Sequence, residues 1–329
     1  MLTSSLTSRT FVDRLQIGYR ETYGNLNSEY PHLISSVANL VLAKIATSDA
    51  PYHDVEHTML VTIAGQEILR GKQLTEGNVS STDWVHFIIG LLCHDIGYVR
   101  GVCSEDCHHQ QLYATGINHQ TIVLPAGATD ASLTPYHVDR SQKFLEEVFG
   151  DNPLIDIETI KRQIELTRFP VPPGSKHQDT INYPGLTRAA DLIGQLADPQ
   201  YLQKMENLFR EFEETGVNKN LGYRHPQELR AAYPNFFWKV AYPYICDSLC
   251  YLGVTPTGQK IIKHLFDNVG IVETELAAAP CRDFPNHLRA EKNHHYESHL
   301  NHRPADGIHN QAKENIPLGA PNNYMQMPY

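Results

Sequence analysis

Three short stretches of this chain carry side chains that do chemistry together. In Pro51-Tyr52-His53-Asp54-Val55-Glu56-His57, two histidines stand four apart. On a helix that spacing puts both imidazoles on one face. Leu91-Leu92-Cys93-His94-Asp95-Ile96-Gly97 sets an imidazole beside a carboxylate at the end of the most apolar segment. Burying both without partners is costly. Arg188-Ala189-Ala190-Asp191-Leu192-Ile193-Gly194 places one carboxylate in small, apolar surroundings, where an ionised group needs a cation. Each stretch alone has a structural alternative: a chance pair among 18 histidines, a His–Asp hydrogen bond closing a helix, an Asp on a helix surface. Together they offer four ligands, His57, His94, Asp95 and Asp191. Two imidazoles and two carboxylates suit Zn, Fe or Mn. The second oxygen of Asp95 can bridge to a further ion, Mg or Mn, held otherwise by water. Two ions sharing a carboxylate activate a water and clamp a phosphoryl oxygen.

In this order, Tyr52-His53-x3-His57, His94-Asp95 and Asp191 within Ala-Ala-Asp resemble the signature of the HD superfamily of metal-dependent phosphohydrolases. The tyrosine ahead of His53 makes the chain similar to the cyclic nucleotide phosphodiesterase branch. The resemblance implies an all-α bundle around a buried metal site. It implies His53 as the general acid and His57, His94, Asp95 and Asp191 as ligands. Glu211-Phe212-Glu213-Glu214-Thr215-Gly216 is similar to the acidic-aromatic run that follows the last ligand in those enzymes.

Two departures bear on substrate and chemistry. Those phosphodiesterases read a purine with a glutamine upstream of a late proline. Matching that proline to Pro243 puts Tyr233 in the glutamine's place and Phe236 near the aromatic clamp. Amide readout of a purine is then lost. Dinuclear HD proteins, the oxygenases among them, carry extra histidines before the last aspartate. His137 fits one such place, as a ligand of a second ion or a group behind it. The next, near Glu165-Leu166-Thr167-Arg168, has none, which favours hydrolysis over oxygenation. Arg100, just after the ligand pair, is a candidate for a substrate phosphate and equally a surface cation. Cys103-x3-Cys107-His108-His109 lacks a second Cys/His pair of standard spacing and reads as a polar loop. His86 reads as a core or boundary histidine, and His177 as exposed.

Helices must position these groups. Leu33, Ile34, Val37, Leu40, Val41 and Ile45 recur at helical spacing, and Asp54 to Arg70 repeats the pattern, with Gly71 as its expected cap. Trp84 to Leu92 is apolar almost all round and predicts a central buried helix, capped by Ser81 or Thr82. Further helices are expected over 140–149, 155–167, 186–196, 201–212, 236–252 and 257–276. No run alternates with period two, so the expected class is all-α. Gly101 to Tyr136 and Phe169 to Pro184 read as long loops. The expected organisation is an N-terminal extension over 1–25, a catalytic domain over 26–284, and a disordered His/Asn/Pro-rich tail over 285–329.

The 329 residues can bury a large core, so neither a disulfide nor a metal is needed simply to fold. A net charge of −10 argues against a nucleic-acid polymer as partner. No stretch is long and apolar enough to span a membrane. The N-terminus lacks an apolar signal core, so the six cysteines read as reduced thiols of a cytoplasmic protein. The expected function is hydrolysis of a small phosphoester, a phosphodiester of nucleotide type, by a metal-activated water. His53 would protonate the leaving oxygen, which requires an orienting carboxylate or carbonyl that no motif singles out. The alternatives are an HD-type di-iron oxygenase and a non-catalytic nucleotide or metal sensor.

Overall fold

The computed structural model describes residues 7–278. The expected tail over 285–329 lies outside the described residues. The expected all-α class holds. The α-helices are α1 (Ser8–Tyr23), α2 (Tyr30–Ile45), α3 (Val55–Glu76), α4 (Ser81–Cys93), α5 (His137–Phe149) and α6 (Ile157–Glu165). They continue as α7 (Tyr183–Leu196), α8 (Tyr201–Glu214), α9 (Val217–Leu221), α10 (Pro226–Phe236), α11 (Tyr242–Leu252) and α12 (Pro256–Ala278). A π-helical turn, Phe237–Ala241, joins α10 to α11. No helix among the described residues is long and apolar enough to cross a membrane.

Helix α4 is the centre of the packing. Ser80 accepts from the Asp83 amide while Asp83 reaches back to the Ser80 amide, a reciprocal cap that fixes where the helix starts. That cap is one residue earlier than expected. From Trp84 to Cys93 every side chain is buried, and α2, α3, α6 and α7 pack around it.

Helix α3 crosses α7 closely because small residues face each other there. A methyl group on Gly194 of α7 would lie 2.5 Å from the Val61 Cα of α3. Gly194→Ala is therefore expected to cost about 1–3 kcal/mol by overpacking, read as a lower Tm. Divalent-ion affinity should fall with it, since α3 carries His57 and α7 carries Asp191. An unchanged Tm would show that the two helices separate freely.

Four expectations need correction. Residues 8–23 do not form an extension: Thr7 caps α1, and Phe11, Val12, Leu15 and Tyr19 are buried in the core beside α2 and α3. Gly71 does not cap α3. It lies inside the helix, where a Cβ would meet the Tyr251 carbonyl of α11 at 1.9 Å, and the left-handed Gly77 ends the helix instead. The first long loop holds an antiparallel hairpin of β1 (Leu112–Ala114) and β2 (Thr121–Val123), paired Leu112 to Val123 and Ala114 to Thr121. Strands of three residues are too short for alternation to register. Finally, His53 is not on a helix with His57. Asp54 adopts an extended conformation and its carboxylate accepts from the His57 amide at 3.0 Å, so α3 begins after it.

Candidate metal centre

The ligand atoms converge from three elements. His57 sits in the first turn of α3, His94 and Asp95 at the end of α4, and Asp191 in the middle of α7. His57 Nε2 lies 3.1 Å from Asp95 Oδ2 and 3.4 Å from Asp191 Oδ1. His94 Nε2 lies at the same two distances from the same two oxygens. His57 Nε2, His94 Nε2 and Asp95 Oδ2 are buried and make no hydrogen bond. Buried polar atoms are nearly always hydrogen-bonded, so three without a hydrogen bond, brought this close together, fit a cation between them. Among the described residues, His57, His94 and Asp191 form one group that could hold a metal ion, and His53, His57 and Asp95 form another. The structure thus brings all four expected ligands together.

The groups behind them fix this geometry. His94 Nδ1–H donates to the Leu91 carbonyl at 2.7 Å, which turns the Nε2 lone pair inward. Ser141 Oγ donates to the His94 carbonyl at 2.8 Å and accepts from the Gly97 amide at 2.9 Å. The fully buried Arg140 donates to the Gly97 and Val99 carbonyls and to Asp106. Helix α5 therefore clamps the turn that carries Asp95 from both sides.

Charge is balanced within the centre. Burial lowers the His57 pKa, but the Asp191 and Asp95 carboxylates outweigh it and hold it up at about 9. His94 is likewise held well above its ordinary value by the same carboxylates, against burial. Burial raises Asp191, yet the imidazoles of His94 and His57 bring it down to about 2. Exchanging two imidazolium protons for one divalent ion leaves the net charge unchanged. That exchange is what a metal site of neutral histidines and carboxylates requires.

His53 stands beside this group, its ring 5.4 Å from that of His57 and steeply tilted to it. Glu211 of α8 holds it. Glu211 Oε2 accepts from His53 Nδ1 at 2.6 Å, while Oε1 accepts from the Tyr52 and His53 amides at 2.6 and 3.1 Å. Burial depresses the His53 pKa, but Glu211 overcomes it and the net shift is upward. Glu211 is the orienting carboxylate that sequence reasoning did not identify. The acidic-aromatic run beginning at Glu211 was the available signal, and only the fold pairs it with His53.

His137 also reaches the centre. Its Nδ1–H donates to the Thr134 carbonyl at 2.6 Å, and its Nε2 lies 3.9 Å from Asp95 Oδ1. That is the oxygen of Asp95 not facing His57 and His94. Burial lowers its pKa, which keeps the Nε2 lone pair free.

The remaining candidates lie elsewhere or are already engaged. Arg100 donates to Asp49, Asp130 and the Ala128 carbonyl, which holds its guanidinium against the protein's own carboxylates. Tyr233 is 2% exposed, with its ring against Tyr201 and Phe237, because α10 turns that face onto α8 and α12. It is a core residue and cannot read a purine. Phe236, half-buried, meets Phe169 edge-on at 5.8 Å. Glu165 and Arg168 pair with each other, and Arg168 pairs with Asp139. Cys103 and Cys107 join no metal-holding group among the described residues. His86 is a core histidine whose Nε2 accepts from the Asp156 amide. His177, expected to be exposed, is partly buried against Glu165 at 3.2 Å.

No curated protein matches this sequence. One family model, described as Npun_R2479-like, matches residues 2–275, a span that includes α1, every candidate ligand above and nearly all of α12. The chain therefore belongs to the Npun_R2479-like family.

Proposed function

We propose that this protein is a metal-dependent phosphohydrolase of the HD type, acting on a small phosphoester and most naturally on a phosphodiester. The observation that carries the reading is the pairing of two devices within one buried site. One is the set of four convergent ligand atoms, three of them buried without a hydrogen bond. The other is a histidine held by a carboxylate at its edge. A purely structural His–Asp cluster would hydrogen-bond internally and would need no such neighbour.

A divalent ion held by His57, His94, Asp95 and Asp191 would supply Lewis acidity at a phosphoryl oxygen and a water of lowered pKa. Zn, Fe or Mn suits that set. The second oxygen of Asp95, with His137 Nε2 beside it, supports a further Mg or Mn position. Glu211 raises the His53 pKa against burial, and with Nδ1 on that carboxylate a protonated His53 offers its Nε2 proton to the oxygen leaving phosphorus. Glu211 stabilises the imidazolium before transfer and orients the ring throughout. Since Tyr233 is in the core, a purine base would have to be recognised by other groups or not at all. A cytoplasmic setting fits the described cysteines, all of them free.

The test is a screen of purified protein against phosphodiesters and phosphomonoesters with Mn, Mg, Fe and Zn supplied separately, alongside elemental analysis. Diester cleavage that a chelator abolishes is the expected result. Bound metal with no ester cleaved would overturn the reading, and two irons with dioxygen uptake would replace it with an oxygenase.

A further inference from the structure

Tyr98 closes the short 3-10 turn Ile96–Tyr98 that follows Asp95. Its ring is buried and stacks with two imidazoles. His53 stacks on it at 4.4 Å between centroids and 13° between planes. His137 stacks on it at 4.5 Å and 23°. The Thr134 carbonyl receives the His137 Nδ1–H. Each imidazole is tied at Nδ1, His53 to Glu211 and His137 to Thr134. A ring tied at one atom can still swing about that bond. A flat neighbour packed face-on removes this freedom.

We propose that Tyr98 is a positioning residue: its ring, stacked on both His53 and His137, holds the two imidazoles in the planes that direct their Nε2 atoms to the metal centre. It joins the proton donor to the group beside the second oxygen of Asp95 through one rigid aromatic. Its effect on rate rests on the hydrolytic reading above; the stack itself does not. Neither the ligand pattern nor the helical periodicity marks Tyr98, because stacking on two imidazoles needs three segments folded together.

The experiment uses the full chain with Mn replaced by diamagnetic Zn for spectroscopy, and compares Tyr98→Phe with Tyr98→Leu. The first readout is the imidazole Hε1 signals of His53 and His137, assigned with His53→Gln and His137→Gln. A ring stacked on both shifts them upfield. That shift should persist in Tyr98→Phe and vanish in Tyr98→Leu. The second readout is kcat on an alkyl phosphodiester and on a nitrophenyl phosphodiester with Mn. Tyr98→Leu should lose about 10–100-fold on the alkyl ester through misplacement of the donor. It should lose little on the nitrophenyl ester, with KM and bound metal unchanged. Tyr98→Phe should restore the alkyl rate to near that of the wild type. Signals unmoved in Tyr98→Leu, equal losses on both esters, or a Phe variant as impaired as the Leu variant would each overturn the proposal. If the wild type cleaves neither ester, the phosphohydrolase reading fails while the imidazole signals still decide the stack. Should Tyr98→Leu not fold, Tyr98→Met, also lacking a ring, takes the same two readouts.

Discussion

Asp95→Ala is expected to bind no divalent ion tightly and to lose hydrolysis altogether. Asp95 Oδ2 faces both His57 and His94, and Oδ1 faces His137, so this one carboxylate serves every position at which an ion could sit. Asp191 faces only His57 and His94, so Asp191→Ala should weaken the first position and spare the second. The metal-free Asp95→Ala protein should also be less stable by about 3 kcal/mol, the scale of removing one partner from a buried charged cluster. Elemental analysis and calorimetric unfolding check the two parts separately. Wild-type metal stoichiometry in Asp95→Ala would remove the bridging role. The same geometry sets a pH dependence. Metal uptake must displace imidazolium protons, and His57 holds its proton up to about pH 9. Affinity should therefore rise as pH rises toward that value and fall as it drops. Proton release on metal addition, followed by pH indicator, measures this directly; uptake without release would contradict it.

His53→Ala should keep its metal and lose rate, whereas His57→Ala should lose both together. General acid catalysis contributes about 10²–10⁴-fold, and the expected fall in kcat on an alkyl phosphodiester lies in that range. On a nitrophenyl diester the fall should be small, because that leaving oxygen needs little protonation. Glu211→Gln tests the same assignment from behind. It removes the Glu211 charge, the largest influence that raises His53, and leaves Asp95 to oppose burial without it. The acid is active only while protonated, so the alkaline limb of the kcat profile should move to lower pH. The measurement is kcat against pH for wild type and Glu211→Gln on the alkyl ester. A limb that stays in place, or a His53→Ala protein that sheds metal, shows that His53 does something other than donate a proton.

Much of this was legible in the linear chain because it depends on local pattern. The buried helix α4 could be read from its apolar run, and α2, α3 and α7 from their spacing, since burying one face of a helix imposes that period. The four candidate ligands stood out through the spacing of His57 from His53 and the apolar surroundings of His94, Asp95 and Asp191. Local pattern misled where competing local interactions decided the outcome. The Asp54 side chain caps α3 and so excludes His53 from the helix that its spacing with His57 implied. Gly71 reads as a terminator yet serves the approach of α11.

What only the tertiary structure decided are the contacts between groups far apart along the chain. Glu211 meets His53 across 158 positions, and no periodicity reports such a distance. The His53–Tyr98–His137 stack, the Arg140 and Ser141 clamp on the Asp95 turn, and the withdrawal of Tyr233 into the core are of the same kind. Sequence determines which residues can do chemistry and which segments bury a face, because both follow from side-chain type and helical spacing. The aim of each side chain is set by packing between helices, where an ångström of approach allowed by one glycine settles which atoms face one another.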